Sequence, residues 1–124
     1  MSANTVCWVD IPVSDLDRAI KFYSAVLGQK VTAESAGPGH KFGLLPHADS
    51  NVSGCLAVME DNRPSQAGPL VYLSVDGRLD DAIKAAEAGG GKVLKPRHAI
   101  GPYGHRAIIA ETEGNRVALH SQKA

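Results

Sequence analysis

Residues 6–28 read VCWVDIPVSDLDRAIKFYSAVLG, and their pattern changes period in the middle. Over 6–13 the residues alternate: Cys7, Val9, Ile11 and Val13 share one face, and Val6, Trp8, Asp10 and Pro12 share the other, as in a strand. After Ser14 the spacing becomes helical, with Leu16, Ala19, Ile20, Tyr23, Val26 and Leu27 on one stripe. Ser14 with Asp17 resembles a capping box, and Gly28 is placed to stop the helix in a left-handed conformation. This strand-then-helix unit recurs. Leu16-Asp17-Arg18-Ala19-Ile20-Lys21 returns 63 residues later as Leu79-Asp80-Asp81-Ala82-Ile83-Lys84. Lys30-Val31 returns as Lys92-Val93, Gly39-His40-Lys41 as Gly104-His105-Arg106, and Asn51 as Asn115. Four matches in order at nearly constant spacing predict an internal duplication.

Each copy continues with three short apolar segments separated by Gly, Pro, Asn and Asp. They are Gln29–Glu34, Lys41–Leu45 and Cys55–Met59, then Lys92–Leu94, Arg106–Ala110 and Arg116–His120. The second copy opens with a strand at 70–75 and a helix near 78–88, stopped by Gly89-Gly90-Gly91. The expectation is an α+β domain of two βαβββ modules, residues 5–60 and 69–121, joined by a linker at 61–68. Loop tips are expected near Ala36–Gly39, Pro46–Ser53 and Arg97–Tyr103.

The chain has 124 residues, enough for one domain. Its 13 Lys and Arg balance 13 Asp and Glu, so no charge excess points to nucleic acid or an anionic membrane. No apolar run is long enough to span a bilayer, and the N-terminus lacks a signal-peptide pattern, so a cytoplasmic protein is expected. Cys7 and Cys55 lie in apolar runs outside any CxxC pair and read as two buried free thiols. No Walker loop, GxSxG elbow, GxGxxG or HExxH motif is present.

Asp10-Ile11-Pro12-Val13-Ser14-Asp15-Leu16-Asp17-Arg18-Ala19, followed by Phe22-Tyr23 and Val26-Leu27-Gly28, resembles the opening of the vicinal oxygen chelate superfamily. That superfamily includes glyoxalase I, bleomycin-resistance proteins and extradiol dioxygenases. Glu113-Gly114-Asn115-Arg116-Val117-Ala118-Leu119 resembles its closing strand. The resemblance implies paired modules whose sheets curl around a cup, and in the catalysts a divalent metal held there by His, Gln or Glu. Those ligand positions carry over to Trp8, Ala57, Leu70 and Ala118, none of which supplies a ligating atom. No cofactor is therefore expected, unless a metal site is rebuilt at other positions. The resemblance also implies a homodimer.

Alternation places Trp8, Asp10 and Pro12, then Leu70, Tyr72 and Ser74, then Arg116, Ala118 and His120 on the cup face. The candidate ligand-binding residues are Trp8, Asp10, Tyr72, His105, Arg116 and His120. Each also has a plainer reading: Trp8 and Tyr72 as packing, Asp10 ion-paired with Arg116 or an imidazole, His120 as an exposed side chain, and the Gly-His pairs as duplicated turns. The expected partner is a small organic molecule in a metal-free cup. The alternative is a lyase (lactoylglutathione lyase-like), isomerase or dioxygenase, using a metal or an acid–base pair such as Asp10 with His105.

Overall fold

A computed structural model describes residues 5–35, 37–48 and 52–123. The order is β1 (Trp8–Pro12), α1 (Leu16–Leu27), β2 (Thr32–Ser35), β3 (Lys41–Leu44), β4 (Ser53–Ala57), β5 (Val71–Ser74), α2 (Leu79–Ala88), β6 (Lys92–Ala99), a 3-10 turn (Gly101–Tyr103), β7 (His105–Ala110) and β8 (Arg116–Ser121). The strands form two mixed sheets, ordered β1-β4-β3-β2 and β5-β8-β7-β6. The first and last strands of each half pair in parallel, and the other pairs are antiparallel. The expected α+β fold, with two helices and eight strands, is the observed one. Asn51, one of the repeat matches, lies outside the described residues.

The two halves repeat down to single hydrogen bonds. Val13 N–H donates to Ala57 O at 2.9 Å, and Val75 N–H donates to His120 O at 2.8 Å. Both bonds lock the residue after the first strand onto the last strand.

Apolar alternation decides which face meets the helices. Ile11, Val13 and Leu56 of the first half and Val75, Ala107, Ile109, Val117 and Leu119 of the second are buried together with α1 and α2. From α1 come Ala19, Phe22, Tyr23 and Val26, and from α2 come Leu79, Ala82 and Ala86. The small α2 residues let the helices approach. A side chain at Gly91 would begin 2.9 Å from Phe22 Cζ. Arg78 reaches across to donate to Val26 O at 2.7 Å.

Several local expectations are corrected. Asp15, not Ser14, caps α1, accepting from Arg18 N–H at 3.1 Å. The Ser14 and Asp15 N–H groups go instead to Glu113 Oε1, at 2.9 and 2.8 Å. Gly28 does end the helix at φ +69°, its N–H bonded to Ser24 O. Strand β6 runs to Ala99 rather than stopping at Leu94. Pro96 does not end it, because β6 is an edge strand where a missing N–H costs no ladder bond. Cys55 is buried, but Cys7 is exposed, since it precedes β1 at the end of the sheet.

Tyr23 is buried, and its hydroxyl donates to Glu111 Oε2 at 2.6 Å. Glu111 Oε1 accepts from the N–H groups of Glu113 and Asn115, both at 2.8 Å. Burial, then the neighbouring Glu111 charge, pushes the Tyr23 hydroxyl well above its usual range. Tyr23→Phe is predicted to cost about 1–3 kcal/mol, because it removes one donor from a buried carboxylate. Urea unfolding checks this, and a loss below ~0.5 kcal/mol would refute it.

Candidate functional site

The face turned away from the helices carries the exposed rings and the titratable side chains. On strands β1 and β4 the register sets Trp8 opposite Ser53, Asp10 opposite Cys55 and Pro12 opposite Ala57. On the second sheet it sets Tyr72 opposite Ala118, Ser74 opposite His120, and Arg106 across from His120 on β7. Trp8 and Tyr72 are each 46% exposed.

Three recesses touch this region. One, of about 420 Å³, lies between β1 and β5 and is lined by Val9, Ile11, Leu45, Val71 and Leu73 among others. It offers apolar surface without a titratable side chain apart from the Tyr72 phenol. A second, also about 420 Å³, brings together Trp8, Asp10, Arg63 and Arg116 beneath the segment that joins the halves. The third, about 500 Å³, is lined by Tyr72, Ile100, Tyr103, Arg106 and His120.

In the second recess Asp10 has partners other than the expected Arg116. Trp8 Nε1 donates to Asp10 Oδ1 at 2.9 Å, and the Cys55 thiol donates to the same oxygen at 3.3 Å. An exposed carboxylate needs no buried counter-ion, so two neutral donors suffice. Arg116 donates from Nη2 to Gly68 O at 3.1 Å, and its Nε is buried without a partner.

In the third recess Arg106 is the centre; the sequence showed it only as part of the repeat and not as a ligand-binding candidate. Its Nε donates to His98 Nε2 at 2.9 Å, and its Nη1 donates to the Tyr72 hydroxyl. The guanidinium carbon lies 5.9 Å from the Tyr72 ring centre. His120 packs edge-on against Tyr72, ring centres 6.2 Å apart, and its Nε2 donates to Tyr103 O at 2.6 Å. The signal that finds Arg106 is register: counting back through the Glu111–Asn115 turn sets it across from His120.

Of the six candidates, Trp8, Asp10 and Arg116 share one recess, and Tyr72 and His120 share another. His105 lines neither. It pairs with Ser121, one residue out of phase with the Arg106–His120 pair, and so lies on the opposite face of β7. Asp10 and His105 therefore do not form an acid–base pair.

The metal positions implied by resemblance can be tested on donor chemistry. Register makes Cys55 the first-half counterpart of Ala118, because it stands opposite Asp10 as Ala118 stands opposite Tyr72; Ala57 lies two residues on, level with His120. Cys55 is thus the one sulfur available beside Trp8, Leu70 and Ala118. Burial, then the hydrogen bond to Asp10, pushes its thiol up to about 11, and a single sulfur beside Trp8, Leu70 and Ala118 is far short of a coordination set. Among the described residues no three His, Cys, Asp or Glu side chains converge. These residues do not fit a divalent metal.

The model of the Glyoxalase/Bleomycin resistance protein/Dioxygenase superfamily matches residues 5–119. A glyoxylase-like domain-containing protein of Didymella fabae is 30% identical over 114 residues, covering 90% of this chain and 88% of that protein. CFP32, a candidate glyoxylase of Mycobacterium tuberculosis, is 29% identical over 110 residues, and the matched part of this chain spans 41% of its length. Among solved structures, a glyoxalase/bleomycin resistance protein from Albidiferax ferrireducens superposes with a TM-score of 0.76 at 16% identity, covering 95% of this chain and 98% of that one. The likeness to that structure is one of fold. The chain belongs to the Glyoxalase/Bleomycin resistance protein/Dioxygenase superfamily.

Proposed function

We propose that this chain binds a small organic molecule, without a metal, on the face of its sheets turned away from the helices. The observation that carries this reading is the pair of large rings held out there. Trp8 and Tyr72 are each 46% exposed, yet both are fixed by hydrogen bonds, Trp8 to Asp10 and Tyr72 to Arg106. Oriented rings beside a few polar groups are what a small-molecule site needs. Of the four positions that the family resemblance gives to metal ligands, only Cys55 carries a potential donor atom, and no further His, Cys, Asp or Glu cluster forms among the described residues.

We place this activity in a cytoplasmic homodimer. Two thiols that do not pair with each other suit a reducing compartment, and exposed Val6, Val58 and Leu94 offer apolar surface to a second copy. Light scattering that gives a monomer at micromolar concentration would count against the dimer.

Native mass spectrometry for a co-purified molecule, with elemental analysis on the same sample, tests the binding reading. A bound organic molecule with no stoichiometric Zn, Ni, Mn or Fe is expected. About one equivalent of such a metal, lost when residues of this face are changed, would overturn the metal-free reading. Trp8→Ala is predicted to weaken the molecule found by about tenfold or more, from lost ring contact and apolar area. Unchanged affinity in a folded variant would remove Trp8 from the site.

A further inference from the structure

We infer that the recess around Tyr72, Arg106 and His120 is a site for a carboxylate carried on a flat apolar body. This rests on the reading that this face binds small molecules, and it names the chemical class. Arg106 is a cation without an anion: among the described residues no carboxylate pairs with it, and none lines the recess. Of its five N–H groups, one is taken by His98 and one by Tyr72. Three remain at the terminal end of the guanidinium, the planar fork that suits two carboxylate oxygens.

The hydrogen bonds also fix how the fork is held. An arginine N–H always donates, so His98 Nε2 must accept. The His98 proton then sits on Nδ1, which lies 2.8 Å from Pro96 O and donates to it. His98 is thus clamped between a carbonyl and Arg106 in one neutral tautomer, and it orients the guanidinium from behind. Tyr72 accepts from Arg106, which leaves its own O–H proton free to donate. His120 Nε2–H is spent on Tyr103 O, which pins the 101–103 turn against the recess. The three guanidinium N–H groups and the Tyr72 O–H are donors that favour an acceptor-rich ligand, with His120 Nδ1 the acceptor beside them. The rest of the lining is apolar or aromatic: Ile100, Tyr103 and the Tyr72 ring. A volume of about 500 Å³ accommodates a single ring with its acid group.

Three nearly isosteric probes, benzoate, benzamide and benzamidine, separate anion, neutral and cation. Each is titrated into the full chain, followed by amide chemical shifts in a ¹H–¹⁵N spectrum. Benzoate is expected to give saturable shifts at residues 71–73, 98–106 and 119–121, and to bind about tenfold or more tighter than either analogue. Arg106→Gln is expected to remove that preference. Arg106→Lys keeps the charge without the fork and is expected to retain only part of it, which supplies a second variant should the first not fold. Benzamide or benzamidine binding as well as benzoate would overturn the inference. Benzoate binding unchanged in Arg106→Gln, or absent from the native chain, would overturn it too. A neutral molecule bound in a Trp8-dependent way would then leave the small-molecule reading standing, whereas a chain that co-purifies with nothing and binds nothing in a screen loses both.

Discussion

Replacing Glu113 with alanine is expected to destabilise the fold by about 3 kcal/mol and to lower Tm by roughly 10 °C. The Glu113 side chain is fully buried, and its two oxygens close the N-terminus of α1 from the other half of the molecule. Oε1 accepts from Ser14 and Asp15 N–H, and Oε2 accepts from Arg18 Nε at 2.7 Å and from Thr112 Oγ1 at 2.9 Å. Alanine would leave the two N–H groups just before α1 unpaired and the Arg18 guanidinium without its partner. The same residue sets an acid limit. Burial opposes its ionisation, but the Arg18 side chain, the Asp15 N–H, Thr112 and the Ser14 N–H outweigh burial and hold its carboxyl at about 2 instead of 4.5. A depressed carboxyl stabilises the fold wherever it is ionised in both states. That stability is full above pH ~4.5 and is lost as pH falls toward 2, about 3 kcal/mol in all. Urea midpoints measured from pH 6 to pH 2 should therefore fall less steeply in Glu113→Gln than in the native chain. Parallel curves would show that the carboxylate does not carry this stability.

Gly104→Ala is expected to cost about 3 kcal/mol or more and to abolish ligand binding in the Tyr72–Arg106 recess. Gly104 sits at φ +95°, ψ −138°, a backbone region that side chains rarely enter. An added Cβ would also lie 2.4 Å from Ser121 O and 2.8 Å from Gln122 Cα, so strand β8 itself would have to move. The turn it closes carries Tyr103 and is tied by Ile100 N–H to Gly104 O at 2.9 Å. Thermal unfolding together with the benzoate titration measures both effects. A Tm within ~2 °C of the native value would contradict the strain argument. Gly39, its counterpart in the repeat, has φ +76° but nothing within 4 Å of an added Cβ. Both glycines of the duplicated Gly-His pair thus have positive φ, and only the second is also crowded.

The sequence carried the fold where interactions are local. Leu16 through Leu27 and Leu79 through Ala88 are helices because their apolar residues recur on one stripe, and Ile11 and Val13 point inward because β1 alternates. It misled where position in the sheet decides. Cys7 matches the inward phase but precedes β1 and is exposed, and Pro96 is tolerated because β6 lies at an edge. The site was less visible. Trp8 and Tyr72 follow from alternation within one strand, whereas Arg106 depends on pairing between β7 and β8, and His105 falls on the wrong face for the same reason. Of the partners of Asp10, Trp8 lies two residues away on the same face of β1, whereas Cys55 is 45 residues away on β4, so no local pattern reveals it.

The acids that fasten α1 come very late in the chain. Ser14 and Glu113 are 99 residues apart, and Tyr23 and Glu111 are 88 apart. A ribosome adds about 5–20 residues per second. Helix α1 is therefore made some 5–20 s before the carboxylates that accept from Ser14, Asp15, Arg18 and Tyr23 exist. During that interval the early half has only its own short strands to lean on. Its aromatic residues Phe22 and Tyr23, destined for the shared interior, wait uncovered. The newborn chain is most vulnerable to capture by a neighbour then: Phe22 gains its cover with residues 89–91, and Tyr23 its acceptor only when Glu111 emerges.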